Sequence, residues 1–228
     1  MKILKGAGGF VILTPESELR RQVLAIEIAG RTCYQSQKGN VTPKSAGTFI
    51  KMLLKRGHES VIEHSCLTVK FVRCSRGFTH ELVRHRIASF SQESTRYVDE
   101  RNTDYIVPPH RDENEKVTLE NGQQMSLVEM LEKTEQFYRA LRQNGWPPED
   151  ARQILPIAVE SEIVITANFR QWRHIFEMRT QQAAHWEIRT VMCNLLTILQ
   201  KIVPAVFDDF VFVGEDKNGI LYYSKDKN

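Results

Sequence analysis

Four cysteines are scattered along 228 residues, at Cys33, Cys66, Cys74 and Cys193, with no CxxC spacing and no dense framework. In a chain this long, that pattern excludes a disulfide scaffold and reads as reduced and cytoplasmic. No apolar run approaches the roughly 18 residues of a membrane span. The opening Met1-Lys2-Ile3-Leu4-Lys5-Gly6 is too soon interrupted by charge to serve as a secretion signal. Charge of one sign is also lacking: 31 Lys+Arg face 28 Asp+Glu, a net +3, which argues against a general nucleic-acid binder. There is no internal repeat, no low-complexity linker and no regular βα alternation. One α+β domain over residues 1–228 is therefore expected, with mixed helices and a mainly antiparallel sheet. A hydrophobic content of 41 % suffices for a core that needs neither metal nor disulfide.

Local patterns give the elements. Val11-Ile12-Leu13 reads as a first strand, and Thr14-Pro15 as an N-cap with proline at the first helical position, the helix running to about Gly30. The same punctuation at Thr42-Pro43 opens a helix that Gly57 stops. Leu67, Val69 and Phe71 alternate with polar residues as in a half-buried strand. Residues 78–86 read as helical, 87–97 as a loop, and 105–107 as a short strand. Residues 110–124 are a polar, exposed connection. Ser126 and Glu129 form a capping box ahead of a long helix ending at Gly145. Pro147-Pro148 opens a short helix containing Arg152. A strand at 163–165, helices at about 170–178 and 184–203, and a hairpin around Asn218-Gly219 complete the chain.

The densest polar stretch is Arg84-His85-Arg86-Ile87-Ala88-Ser89-Phe90-Ser91-Gln92-Glu93-Ser94-Thr95-Arg96-Tyr97. Arginine presents a rigid fork to phosphate or carboxylate oxygens, and serine hydroxyls add the short contacts that fix orientation. The plainer alternative places Arg84 to Arg86 at a helix C-terminus, complementing its dipole.

Arg-His-Arg, seven residues, then Ser and a further Arg two positions on resembles the signature of flavin-dependent thymidylate synthases. Three more blocks agree in order: Gly57-His58-Glu59-Ser60-Val61-Ile62-Glu63-His64, Ala151-Arg152-Gln153-Ile154-Leu155-Pro156, and Glu177-Met178-Arg179 with His185-Trp186-Glu187-Ile188. The resemblance runs from about residue 10 to 205. It implies methylation of dUMP to dTMP, with FAD as cofactor and NADPH and methylenetetrahydrofolate as co-substrates. It implies Arg179 as the catalytic residue, facing the pyrimidine. It places Glu81, Arg84, Gln92, Glu93, Ser94, Thr95, Arg96, Arg152 and Arg179 at dUMP. It places His58, Ser60, Glu63, Arg84, His85, Arg86, Asn168, Arg170 and His174 at FAD. It also implies a homotetramer with shared active sites and no metal. Glu81 stands where some members carry glutamine, and Gln92 where some carry glutamate.

Three other readings compete. A zinc hydrolase would need histidine at Ile62 or Ser60 to complete its motif with His58 and Glu59 or with Glu63 and His64, and both registers fail. A Cys-His nucleophile rests on chance neighbours such as His64 and Cys66. A non-catalytic nucleotide- or RNA-binding module would use Arg73 to Arg101, with Phe78, Phe90 and Tyr97 stacking on bases. That module predicts a colourless protein; the enzyme predicts a yellow one.

Overall fold

The alternation at Leu67–Phe71 becomes the centre of an antiparallel sheet in the computed structural model, which describes residues 1–36 and 39–226. Strand β3 (Leu67–Ser75) buries Leu67, Val69 and Phe71. It pairs on one side with β2 (Gly9–Ile12) and on the other with β8 (Glu160–Ala167), which carries β4 (Ser89–Gln92) at the outer edge. The period of two holds along β8, where Ser161, Ile163, Ile165 and Ala167 are buried and their neighbours are not.

Two helices cover the buried face. From α6 (Phe169–Arg179) come Phe169, Trp172, Ile175 and Phe176; from α7 (Trp186–Ile202) come Ile188, Val191, Met192, Leu195, Leu196 and Leu199. Each such side chain, fully withdrawn from water, contributes about 1.5–3 kcal/mol. Trp172 also satisfies its indole N–H, donating to the Leu67 carbonyl at 3.0 Å. Helices α1 (Glu16–Thr32) and α2 (Pro43–Lys55) pack side by side. Thr42 and Ser45 cap α2 reciprocally, and the Ser45 hydroxyl donates at 2.7 Å to Glu27 of α1. That carboxylate is buried and also pairs with Arg31 at 2.6 Å.

Helix α3 (Arg76–Leu82) follows β3 directly, with Ser75 as its N-cap. A smaller cluster of Tyr105, Val107, Leu131 and Val159 joins β5 (Tyr105–Val107) to α4 (Leu127–Gln143). Helix α5 (Pro148–Ala151) and a 3-10 turn, Arg152–Ile154, lead into β8; α8 (Pro204–Phe207) closes the helical layer. The hairpin of β9 (Phe210–Glu215) and β10 (Leu221–Lys225) is tied down by ion pairs to buried arginines. Arg173 grips Asp209 with two bonds of 2.6 and 2.5 Å, and Arg189 holds Asp216.

Several expectations need correcting. Thr14 does not cap α1: the helix starts at Glu16 with Pro15 outside it, and the Thr14 hydroxyl instead accepts from the Thr68 amide at 2.9 Å. The first helix passes Gly30 to Thr32, and the first sheet strand covers 9–12 rather than 11–13. Residues 87–97 are not all loop, because 89–92 form the edge strand β4. Helix α3 ends at Leu82, so Arg84, His85 and Arg86 lie beyond it. Arg152 lies in the 3-10 turn after α5. The connection at 110–124 contains a minimal pair, β6 (Val117–Thr118) and β7 (Gln124–Met125). An unforeseen β1 (Ile3–Lys5) pairs in parallel with β5. The capping box at Ser126, the stop at Gly57 (φ +74°) and the hairpin turn at Gly219 (φ +74°) are as expected.

Candidate functional site

The end of α6 brings Arg179 back against the end of α3. All three guanidinium nitrogens are engaged: Nη1 donates to Glu81 Oε2 at 2.6 Å, Nη2 to the Glu81 carbonyl at 3.0 Å, and Nε to His85 Nε2 at 3.0 Å. Since Nε2 accepts, the His85 ring is neutral with its proton on Nδ1. Burial, the Arg179 charge and His174 push the His85 pKa down to about 4. The His174 ring lies edge-on to His85, 5.5 Å between centroids. His185, at the start of α7, stands 3.8 Å from the other Glu81 oxygen. Thus Glu81, His85 and Arg179, read from two distant sequence blocks, form one cluster. Ser75 and Glu187 fix its scaffold: the buried Glu187 carboxylate accepts from the Ser75 amide and hydroxyl at 2.6 and 2.5 Å, joining α7 to the cap of α3.

A second cluster surrounds a cleft of about 290 Å³ lined by Arg76, His80, Thr95, Arg152 and Gln153. Arg152 donates to the buried Thr95 hydroxyl at 3.1 Å. Arg76 donates to the Glu93 carbonyl at 2.9 Å, and its buried Nε has no acceptor among the described residues. Burial lowers the Arg76 pKa; Glu100 and Glu93 oppose this, and the Arg152 charge acts in the same direction as burial. Two guanidiniums facing one cleft repel unless an anion joins them. Glu93 bonds to the backbone of Glu162 at both ends, which holds the Ser94–Arg96 segment against β8. Sequence reasoning missed Arg76. Its signal was only its position, first in the helix that carries Glu81 and directly behind a Ser cap.

The third group lines a cleft of about 610 Å³: Glu63, Asn168, Arg170, His174 and Ile87. Asn168 caps α6 through its side chain, and Arg170 pairs with Glu63 at 2.5 Å. Arg170 also lines an adjoining cleft of about 350 Å³ with His58, Ser60 and Cys33. His174 touches both this group and the Arg179 cluster, so the two are contiguous. Amide, guanidinium, imidazole and hydroxyl donors suit the carbonyl- and phosphate-rich surface of a flavin dinucleotide.

Some expected residues stand apart. Arg84 and Arg86 are exposed and, among the described residues, make no ion pair, while His85 between them points inward. Gln92 donates to Thr79 at 2.7 Å rather than facing a cleft. Arg96 lies over its neighbour Tyr97, 5.5 Å to the ring centre. Among the described residues, no three His, Cys, Asp or Glu side chains converge as a metal site requires.

These features define, first, a class of fold. The chain superposes with a TM-score of 0.73, at 20 % identity, on the crystal structure of the UMP/dUMP methylase PolB from Streptomyces cacaoi bound with 5-Br dUMP, covering 91 % of this chain and 96 % of that one. Its complex with 5-Br UMP gives 0.67 over a similar span. Residues 18–205 match the family described as thymidylate synthase complementing protein, Thy1. The flavin-dependent thymidylate synthase of Mycobacterium avium is 36 % identical over 195 residues, 81 % of this chain and 78 % of the relative. That of Geobacter sulfurreducens is 34 % identical over 203 residues, 86 % and 83 % respectively. The chain belongs to the flavin-dependent thymidylate synthase family.

Proposed function

We propose that this chain methylates dUMP to dTMP, taking its one-carbon unit from methylenetetrahydrofolate and its reducing equivalents from NADPH through FAD. The observation that carries this reading is a contrast in how arginines are paired. Arg20, Arg21, Arg31, Arg139, Arg173 and Arg189 each meet a carboxylate. Arg84, Arg86, Arg96 and Arg152 form no ion pair among the described residues, and neither does Arg76, although the charges of Glu100 and Glu93 act on it. Of these, Arg76 and Arg152 line one cleft; two such cations there suit an anion, and every ligand of this reaction is an anion.

In this reading Arg76, Arg152, Ser94 and Arg96 take the nucleotide phosphate, and the buried Thr95 hydroxyl orients Arg152. Arg179 faces the pyrimidine and stabilises charge on its N3–O2 edge while C5 is activated. Glu81 and neutral His85 hold the guanidinium in one plane, so little reorganisation is needed as that charge grows. Bound flavin supplies hydride. Asn168, Arg170, His174, Ser60 and Glu63 would hold it, while His58 marks the entrance for a second co-substrate.

Glu93 is bonded at Glu162, and Asn168 lies six residues further along the same strand direction. At about 3.3 Å per residue, the two ends stand roughly 20 Å apart. A homotetramer whose sites draw on more than one copy, working in the cytoplasm, belongs to the same proposal. The deciding experiment is an anaerobic absorption titration: a flavin band that bleaches with NADPH, responds to dUMP, and yields dTMP on adding methylenetetrahydrofolate. A protein that takes up no FAD would refute it. Mixing Ser94→Ala and Arg179→Ala proteins tests the shared sites, since activity returns only if residues of different copies combine.

A further inference from the structure

One carboxylate that has been given no role so far is approached by three cations. Glu59 opens the 3-10 turn Glu59–Glu63, just after Gly57, whose φ of +74° turns the chain out of α2. Lys225 of β10 donates to Glu59 Oε1 at 3.2 Å, and Arg173 Nε of α6 stands 3.9 Å from the same oxygen. Arg173 is buried, and its Nε makes no hydrogen bond among the described residues. Arg170 Nε, one turn earlier on α6, stands 3.7 Å from Glu59 Oε2. A single side chain therefore ties the turn to a helix and to the closing hairpin. Two closer pairs, Arg173 with Asp209 and Arg189 with Asp216, already fasten that hairpin.

What Glu59 adds lies in the clefts. It lines both the one at Asn168 and the one at Ser60, as Arg170 does. Arg170 is half exposed, and a long side chain in water gains little from one ion pair. Here it has two carboxylates, from the first and last residues of one turn. Nη1 donates to Glu63 at 2.5 Å, and Nε faces Glu59. The guanidinium is bracketed along that side, and Nη2 is left without a hydrogen bond among the described residues. Glu59 is itself held on its other oxygen by Lys225 and Arg173.

We propose that Glu59 is a positioning residue for the flavin: it fixes the plane of the Arg170 guanidinium, so that the free edge is set before the cofactor arrives. The inference rests on the flavin reading of this cleft and adds to it a residue that acts through Arg170. A side chain already ordered does not lose that freedom on binding. Charge alone argues the other way. FAD is an anion, and a carboxylate beside it repels it. Removing that carboxylate would tighten binding if charge were all, and would weaken it if position decides. The two accounts differ in sign.

The test is FAD affinity, by fluorescence titration of flavin-stripped protein, for native, Glu59→Gln, Arg170→Ala and the double variant. Glu59→Gln keeps the shape of the side chain and removes its charge. It should weaken FAD about threefold to tenfold, the cost of ordering one long side chain on binding. Turnover at saturating FAD should stay within about twofold of native. In the Arg170→Ala background the same change should weaken binding no further, because no guanidinium is left to position. Thermal denaturation reads the tether to the hairpin separately. Tighter or unchanged FAD binding in Glu59→Gln overturns the proposal, and so does a loss that persists in the Arg170→Ala background. A loss of affinity matched by falls in turnover and Tm also overturns it, leaving Glu59 a structural tether. Native protein that takes up no FAD would sink the flavin reading and this role with it. Native uptake that Glu59→Gln leaves intact sinks the role alone.

Discussion

Replacing Arg179 by lysine keeps the positive charge and removes the fork. In the native chain one guanidinium edge is spent on Glu81 and another on His85, at 2.6 and 3.0 Å, and together they fix its plane. An ammonium can reach the Glu81 carboxylate but has no planar second edge, so its remaining protons point wherever rotation takes them. Loss of one preorganised donor to a developing oxyanion costs about 10²–10³ in kcat, some 2.7–4 kcal/mol. The stability cost is smaller, because the side chains of Arg179 and Glu81 are 18 % and 30 % exposed. Solvent screening limits that pair to about 1 kcal/mol, which is about 2–4 °C in a domain of this size. The assay is single-turnover dTMP formation with saturating dUMP, beside flavin affinity and thermal denaturation. Arg179→Lys should lose about two orders of magnitude in rate, with flavin affinity unchanged and dUMP binding altered only about threefold. A kcat within about fivefold of native, in a protein of native stability, would refute the role assigned to the fixed plane.

His85 makes stability depend on pH: unfolded histidine takes its proton near 6.5, whereas the folded one waits until about 4. Between those values the unfolded state binds more protons, so stability rises with pH; the contribution is full above about 6.5 and gone below about 4. Native protein should therefore lose more of its Tm on acidification across that window than His85→Gln; parallel curves would contradict this. Asp209→Ala leaves the Arg173 charge, 2 % exposed, with the longer Glu59 pair at 3.9 Å, the Val206 carbonyl and the Phe210 ring. Urea denaturation should show a loss of about 3–5 kcal/mol, and a loss under about 1 kcal/mol would mean the pair is not the anchor it looks to be. Arg76→Ala and Arg152→Ala should each weaken dUMP binding about tenfold or more and leave deoxyuridine binding unchanged. Equal loss for both ligands would remove these residues from the phosphate.

The sequence was most legible where one period dominates and least so where geometry is set from afar. Leu67, Val69 and Phe71 announce β3 because one face is buried and the other is not. Ser89-Phe90-Ser91-Gln92 hides its strand: at the sheet edge only half-buried positions alternate with exposed ones, so hydroxyls suffice. Arg73 adopts φ +55°, a left-handed bulge that lets its carbonyl approach Gly8; a Cβ there would meet that oxygen at 2.2 Å. Neither residue signals this alone. In the site, the motif arginines and Arg179 stand out through the family resemblance. Their partners do not: Glu81 and His85 meet Arg179 across more than ninety residues. Arg76 resembles any helix-opening cation until Arg152 is seen across the cleft from it.

Two of the ion pairs that fasten the closing hairpin have a bearing on how the protein is made. Arg173 waits for Asp209, and Glu59 waits for Lys225, which also lines the Asn168 cleft. Chains emerge from the ribosome N-terminus first, at about 5–20 residues per second, and earlier segments begin to fold meanwhile. The motif-bearing sheet and helices can thus assemble while the wall of the Asn168 cleft is still being synthesised. Completion of the Asn168 cleft is then a late event in the life of each molecule, and a nascent chain halted before residue 209 would hold Arg173 with only the longer Glu59 contact at 3.9 Å.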